Sequence, residues 1–279
     1  MQQQAAIRNR VSAAVEAARV ENPLVGSVTN NVTIDFVANA QLAVGGSAAM
    51  VYLPDEAEGL ALAGGALYMN MGTLIPMLEE TMPRAAKVLH EAGKPWVLDP
   101  VGLGIGSLRT RILNDLKPYK PSIVRGNASE IIGLAGLWGL DGDAAEIARI
   151  RGVDSTDTVE EAASAAIALA RYTGGAVAVS GEVDLVTDGS VVALSYGGSP
   201  LMSRITGSGC SLGGVMAVYA AISDPFTAAL TGTGIYNVAG AQAGTLSYGP
   251  ASFKVAFLDE LYHVNGEDVA VNNTEFREA

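Results

Sequence analysis

The chain has 279 residues, about half of them apolar and 16% charged, with a formal net charge of −12. Such a composition can bury a large core and excludes wholesale disorder, while the acidic balance argues against nucleic acid and anionic membrane surfaces as partners. Cys210 is the one cysteine, so no intrachain disulfide can form, which suits a reducing cytoplasm.

The first twenty residues lack the apolar run of a signal peptide, and 11–18 read as helix. Residues 33–44 have helical spacing and stop at Gly45-Gly46. A short strand is expected at 48–53, a helix at 55–63 and a buried strand at 66–71. A helix over 73–92 ends at Gly93, and a strand at 96–98 runs into Asp99-Pro100. The alternation continues with helix at 107–116, strand at 122–125 and helix at 128–137. Residues 138–157 read as loop-rich, 159–172 as helix and 176–180 as strand. Asp188-Gly189-Ser190, between 183–187 and 191–195, predicts a β-hairpin. Helices follow at 208–222, 226–244 and 253–264. No repeat or Pro/Ser linker divides the chain, so 1–265 read as one domain and 266–279 as a polar tail expected to fray.

Uncharged stretches at 59–78, 205–223 and 226–253 contain Gly, Thr, Asn or Pro and read as buried elements rather than membrane spans. Alternating strands and helices predict the α/β class, with a mostly parallel sheet between helical layers. In such sheets ligands bind at the carboxyl ends of the strands.

Three strand ends are chemically rich. Asp99 follows a short apolar strand, and Pro100 keeps the chain from entering a helix at once. A carboxylate there can serve Mg²⁺ or cap a turn. Gly102 and Gly104 have the spacing of a dinucleotide fingerprint, but Ser107 takes the third glycine's place. At the second end, Asn127 and Glu130 have capping-box spacing after Arg125. A functional reading puts Arg125 on a phosphate, which its planar fork suits, and Glu130 near a metal. At the third, Gly207 and Gly209 flank Ser208 before an apolar helix. Glycines let backbone N–H groups approach an oxyanion, and the helix N-terminus adds partial positive charge. The same position can lower the pKa of the Cys210 thiol. P-loop, protein-kinase, zincin and nucleophile-elbow motifs are absent from the sequence.

Taken in order, D-P-V-G at 99–102, R-G-N-x-x-E at 125–130 and T-G-x-G-C at 206–210 resemble the hydroxyethylthiazole kinase family of thiamine salvage, part of the ribokinase-like superfamily. Further matches are NPLVGSVTNNV at 22–32, G-x-S-x-x-M at 45–50, NMGTL at 70–74, SGEVD at 180–184 and GPASF at 249–253. The resemblance implies a three-layer α/β/α fold. It also implies ATP- and Mg²⁺-dependent phosphorylation of the primary hydroxyl of 5-(2-hydroxyethyl)-4-methylthiazole. By the same resemblance Asp99 and Glu130 serve the metal. ATP falls to Arg125, to Ser180, where threonine is usual, and to the turn of Gly207 and Gly209. The acceptor pocket falls to Asn30, Val32, Met50 and Gly207. Cys210 stands beside the attacking hydroxyl, as weak base or positioning group, where many relatives have aspartate. A homotrimer with pockets between neighbouring subunits is implied too.

Two positions depart from the family pattern: Gly26 stands for a histidine and Ala251 for a glycine. Gly26 predicts an altered acceptor loop, which keeps a kinase for another small primary alcohol as an alternative. A nucleotide- or thiazole-binding regulator without catalysis is the reading from a different class.

Overall fold

The computed structural model describes residues 2–140, 159 and 161–279. Helix α1 (Gln2–Glu21) leads into β1 (Leu24–Val28), α2 (Ile34–Ala43), β2 (Ser47–Met50), α3 (Pro54–Ala63) and β3 (Ala66–Asn70). Next come α4 (Leu78–Ala92), β4 (Trp96–Asp99), α5 (Ser107–Leu116), β5 (Ile123–Asn127) and α6 (Ala128–Leu137). The loop-rich reading of 138–157 lies, from 141 on, outside the described residues, as does part of the helix start expected near 159. Helix α7 (Ala163–Thr173), β6 (Ala176–Ser180), β7 (Asp184–Thr187) and β8 (Val191–Ser195) follow. The chain ends with α8 (Ser208–Ala220), α9 (Pro225–Leu246), α10 (Pro250–His263), α11 (Gly266–Ala270) and β9 (Thr274–Glu278).

Among the described residues nine strands form one sheet in the order β2-β1-β3-β4-β5-β6-β7-β8-β9. From β2 to β6 every pairing is parallel; β7, β8 and β9 are antiparallel. Strands buried on both faces read as apolar runs rather than as alternation, and β3 is buried at all five positions. One face packs on α1, α2, α8, α9 and α10 through Val25, Tyr68, Val97 and Ile123. The other packs on α3 to α7 through Val28, Leu67, Leu98 and Val124. This is the expected α/β/α sandwich. The uncharged α8 and α9 lie inside it, against the sheet. Glycine permits that approach: a Cβ on Gly213 would lie 2.4 Å from the Tyr68 ring. Among the described residues no helix is long and apolar enough to cross a membrane.

Three expectations change. Strand β1 is absent from the sequence reading because Gly26 and Ser27 interrupt its apolar pattern. Helix α4 starts at Leu78, five residues late, because Pro76 and the positive φ of Thr73 hold the preceding segment out of helix. The tail does not fray. Asn265 caps α11 by accepting from the N–H groups of Glu267 and Asp268. Beyond it β9 pairs with β8, and the Arg8 guanidinium donates to the carbonyls of Asn272 and Thr274, both at 3.1 Å.

Candidate functional site

The carboxyl ends of β3, β4, β5 and β6 bring a polar row to one edge of the sheet, on the face covered by α8. Parallel register sets Asn70 beside Asp99, and Asn127 beside Ser180. Asp99 is fully buried. Its Oδ2 accepts from Tyr68 Oη at 2.9 Å, Asn70 Nδ2 at 3.1 Å and Arg125 Nη1 at 3.3 Å, while Oδ1 has no partner. Burial pushes its carboxyl up to about 6; Glu130 adds to the rise, and Arg125 and Tyr68 oppose it. Arg125 also donates from Nη2 to Ser180 Oγ at 3.0 Å. Burial works against the guanidinium charge, but Asp99 and Glu130 outweigh it and hold the pKa above its ordinary value.

Glu130 is a capping residue as well as a site carboxylate. Asn127 Oδ1 accepts the Glu130 N–H at 2.8 Å, and Glu130 Oε2 accepts the Asn127 N–H at 2.9 Å, the capping box that the spacing predicts. Its Oε1 accepts the Gly102 N–H at 3.1 Å, which ties the turn after Asp99 to the start of α6.

Gly207 is the N-cap of α8 at φ +94°, a conformation that favours glycine. The first N–H groups of a helix have no partner within it, so this turn presents donors and partial positive charge toward the polar row. It packs close to its neighbours. A Cβ on Gly207 would lie 2.9 Å from Thr33 Cγ2, and one on Gly209 2.7 Å from Arg125 Nη2. Cys210, in the first turn, accepts from Asn30 Nδ2 at 3.6 Å. Burial and then Asp99 push its thiol above the ordinary value, against a smaller opposing effect of Arg125. The expected lowering of that pKa is therefore corrected: removal from water and a nearby carboxylate raise it. The thiol form dominates at neutral pH.

Asn30 lies just beyond β1, and its Oδ1 accepts the N–H groups of Val32 and Thr33. Val32 is 64% exposed on the single chain, and Met50 ends β2 half-buried. The structure thus gathers Asp99, Arg125, Ser180, Glu130, Gly207, Gly209, Cys210 and Asn30, with Met50 and Val32 on the adjoining strand and turn. Gly26 does not join them. Its missing side chain points into the layer under α3, where a Cβ would lie 2.5 Å from Leu67 Cδ1 and 3.2 Å from Leu60 Cβ. The expectation that Gly26 alters the acceptor loop is corrected on that geometry. Tyr68 and Asn70, both fully buried, belong to the site, though the sequence reading gives neither a role. Asn70 opens the NMGTL match and is a polar residue closing an apolar strand, the signal that marks Asp99; Tyr68 has no motif of its own.

No group of three or more His, Cys, Asp or Glu suited to a metal occurs among the described residues. Asp99 and Glu130 nonetheless fit Mg²⁺, which commonly takes one or two carboxylates and completes its shell with water and substrate phosphates. The unpartnered Asp99 Oδ1 offers a free acceptor, and each Glu130 oxygen keeps a second lone pair.

The model of the hydroxyethylthiazole kinase family matches residues 15–267. A hydroxyethylthiazole kinase from Bifidobacterium longum is 51% identical over 281 residues, covering 95% of this chain and 90% of that protein. The structure of the hydroxyethylthiazole kinase protein from Pyrococcus horikoshii superposes with a TM-score of 0.84 at 32% identity, covering 96% of this chain and 98% of the other. A pyridoxal kinase from Staphylococcus aureus shares the fold at TM-score 0.59 and 16% identity, over 92% of this chain and 98% of the other.

Proposed function

This chain belongs to the hydroxyethylthiazole kinase family, and on that premise we propose that its site transfers the γ-phosphoryl group of ATP to the primary hydroxyl of 5-(2-hydroxyethyl)-4-methylthiazole. One observation carries the reading: Asp99, Arg125 and Ser180 form a row at neighbouring strand ends, facing the glycine-flanked N-terminus of α8.

Phosphoryl transfer asks mainly for positioning and charge neutralisation. Arg125, held charged between Asp99 and Ser180, binds the nucleotide phosphates. The N–H groups at 208–210 receive the transferred group, and the missing Cβ atoms of Gly207 and Gly209 let the turn lie close against Thr33 and Arg125. Asp99 and Glu130 hold Mg²⁺, which when bound neutralises charge across the phosphate oxygens. Asn30, Val32, Met50 and Gly207 line the acceptor side. Cys210 stands beside the acceptor hydroxyl as a protonated thiol, so it orients that hydroxyl rather than removing its proton.

Residues 1–265 act as one kinase domain, and 266–279 complete its sheet. The working form is a homotrimer with sites between subunits; the exposure of Val32 on the single chain leaves one pocket wall for a neighbour to close. The enzyme works in the cytoplasm, where Cys210 stays reduced.

The test is incubation with ATP, MgCl₂ and the thiazole alcohol, followed by ³¹P NMR. The expected result is a new phosphate monoester in step with ADP. No ester from this alcohol, with turnover of another alcohol in a parallel panel, would overturn the acceptor assignment. Thermal stabilisation by both ligands without any ester would overturn the enzyme reading.

A further inference from the structure

Two buried amides join the acceptor side of this site to its phosphate side, and backbone groups fix which way each one faces. A backbone N–H can only donate, so an amide atom that it meets must be the oxygen. Asn70 Oδ1 accepts the Gly72 N–H at 2.9 Å, which turns Nδ2 toward Tyr68 Oη at 2.8 Å and Asp99 Oδ2 at 3.1 Å. Asn30 Oδ1 accepts from Val32 and Thr33, which turns its Nδ2 toward Asn70 Oδ1 at 2.8 Å and Cys210 Sγ at 3.6 Å. Tyr68 Oη accepts from Asn70 and therefore directs its own O–H as a donor to Asp99 Oδ2 at 2.9 Å. Apart from the branch from Asn30 to Cys210, these bonds run one way and converge on Asp99 Oδ2. Asn70 has both donors and both acceptor sites in use and is fully buried.

We infer that Asn70 is a positioning residue for phosphoryl transfer: it keeps Oδ1 as the open oxygen of Asp99 and holds the Asn30 amide on the Cys210 thiol, so one side chain sets both halves of the site. The inference rests on the kinase reading above. A second position reaches the same junction from outside. A Cβ on Gly72 would lie 2.9 Å from both Asn30 Nδ2 and Asn70 Oδ1, wedging their hydrogen bond, and the φ of Gly72 is not in the glycine-favouring region.

The experiment compares wild type, Asn70→Ser and Gly72→Ala by steady-state kinetics, thermal melting and calorimetric titration with a non-hydrolysable ATP analogue and Mg²⁺. Misplaced reacting groups cost about 100-fold in turnover, so Asn70→Ser is expected to lower kcat by about that factor and to raise KM for ATP and for the alcohol together. Gly72→Ala should move the same quantities in the same direction, by less. Should Asn70→Ser fail to fold, Gly72→Ala carries the test alone. A folded variant with a lower melting temperature but wild-type kcat, KM values and analogue affinity makes Asn70 merely structural and overturns the inference. So does a change confined to one substrate. Wild type inert toward the thiazole alcohol and toward the rest of the alcohol panel would instead sink the kinase reading, and the calorimetric comparison would still decide whether Asn70 acts on the nucleotide side.

Discussion

Replacing Gly26 by the histidine of the family pattern separates a pocket role from a packing role. Gly26 is in the middle of β1, and its Cβ position is 2.5 Å from Leu67 Cδ1 and 3.2 Å from two atoms of Leu60. Leu67 is fully buried, so its methyl must move within a filled layer. Overpacking of this kind costs about 1–3 kcal/mol, and that is the expectation for Gly26→Ala. An imidazole adds ring nitrogens to an apolar layer, for about 1–3 kcal/mol more if they stay unpaired. Large domains lose about 2–4 °C per kcal/mol. Gly26→Ala should therefore melt about 2–12 °C below wild type and Gly26→His lower still. KM for the thiazole alcohol, measured below the transition, should stay within about twofold, because nothing at position 26 reaches the side of β1 that faces α2 and α8. Thermal melts and initial rates on the same preparations make the comparison. A Gly26→His enzyme with wild-type melting and a KM for the alcohol shifted tenfold or more would refute the placement.

Asp99→Asn should cut kcat by about 100- to 1,000-fold, the scale on which a lost charge-stabilising group acts, while circular dichroism reports an intact fold. Wild-type kcat/KM should fall as pH drops through about 6, where Asp99 takes up its proton and loses its hold on a cation. The sign for stability is the opposite: the folded pKa lies above the unfolded one, so the contribution of this group is full below about 4 and lost as pH rises through 6. Cys210→Ser should keep kcat within about tenfold of wild type, and the wild-type rate should be flat from pH 7 to 9, since an orienting thiol does not need to ionise. A rate that climbs about tenfold per pH unit in that window, and loses the climb in Cys210→Ser, would restore the base role. Gly209→Ala sets a methyl 2.7 Å from Arg125 Nη2. Losing charge-assisted bonds worth about 1.5–3 kcal/mol should raise KM for ATP by about 10- to 150-fold, while an unchanged value would separate Arg125 from the nucleotide.

The parts of the site that a sequence can display are those whose residues are neighbours in the chain. The Asn127–Glu130 cap, the Asp99-Pro100 strand end and the glycines at 207 and 209 are each written within a few positions, and the structure forms all three. Tyr68 and Asn70 are different. Their partner Asp99 is about thirty residues away, and the meeting depends on β3 lying between β1 and β4, which no local pattern encodes. Asn30 reaches both Asn70 and Cys210 for the same reason. Gly26 shows the reverse error. It sits four residues from Asn30 within one motif, yet it lies inside β1 facing Leu67 and Leu60, while Asn30 lies past the strand end, where alternation no longer holds. The tail misleads through composition: Thr274–Glu278 is polar because an edge strand faces water, not because it lacks structure.

The buried polar atoms without partners point to what the fold leaves for its ligands. Of the seven such atoms among the described residues, Thr29 Oγ1, Thr33 Oγ1, Asp99 Oδ1 and Arg125 Nε lie in the segments that build the site, while Tyr52 Oη, Trp96 Nε1 and Tyr219 Oη lie outside it. Each such atom costs about 1–3 kcal/mol relative to a satisfied one, so a chain shaped for stability alone would have paired them. Elsewhere in the same network pairing is thorough: Asn70 uses all four of its sites, and Asp99 Oδ2 takes three donors while Oδ1 takes none. Packing that can saturate one oxygen of a carboxylate can reach the other, about 2.2 Å away by ordinary covalent geometry. The asymmetry therefore follows from where the donors are held. Tyr68, Asn70 and Arg125 approach from the sheet and crowd Oδ2, which leaves Oδ1 as the oxygen that a cation or its water can take.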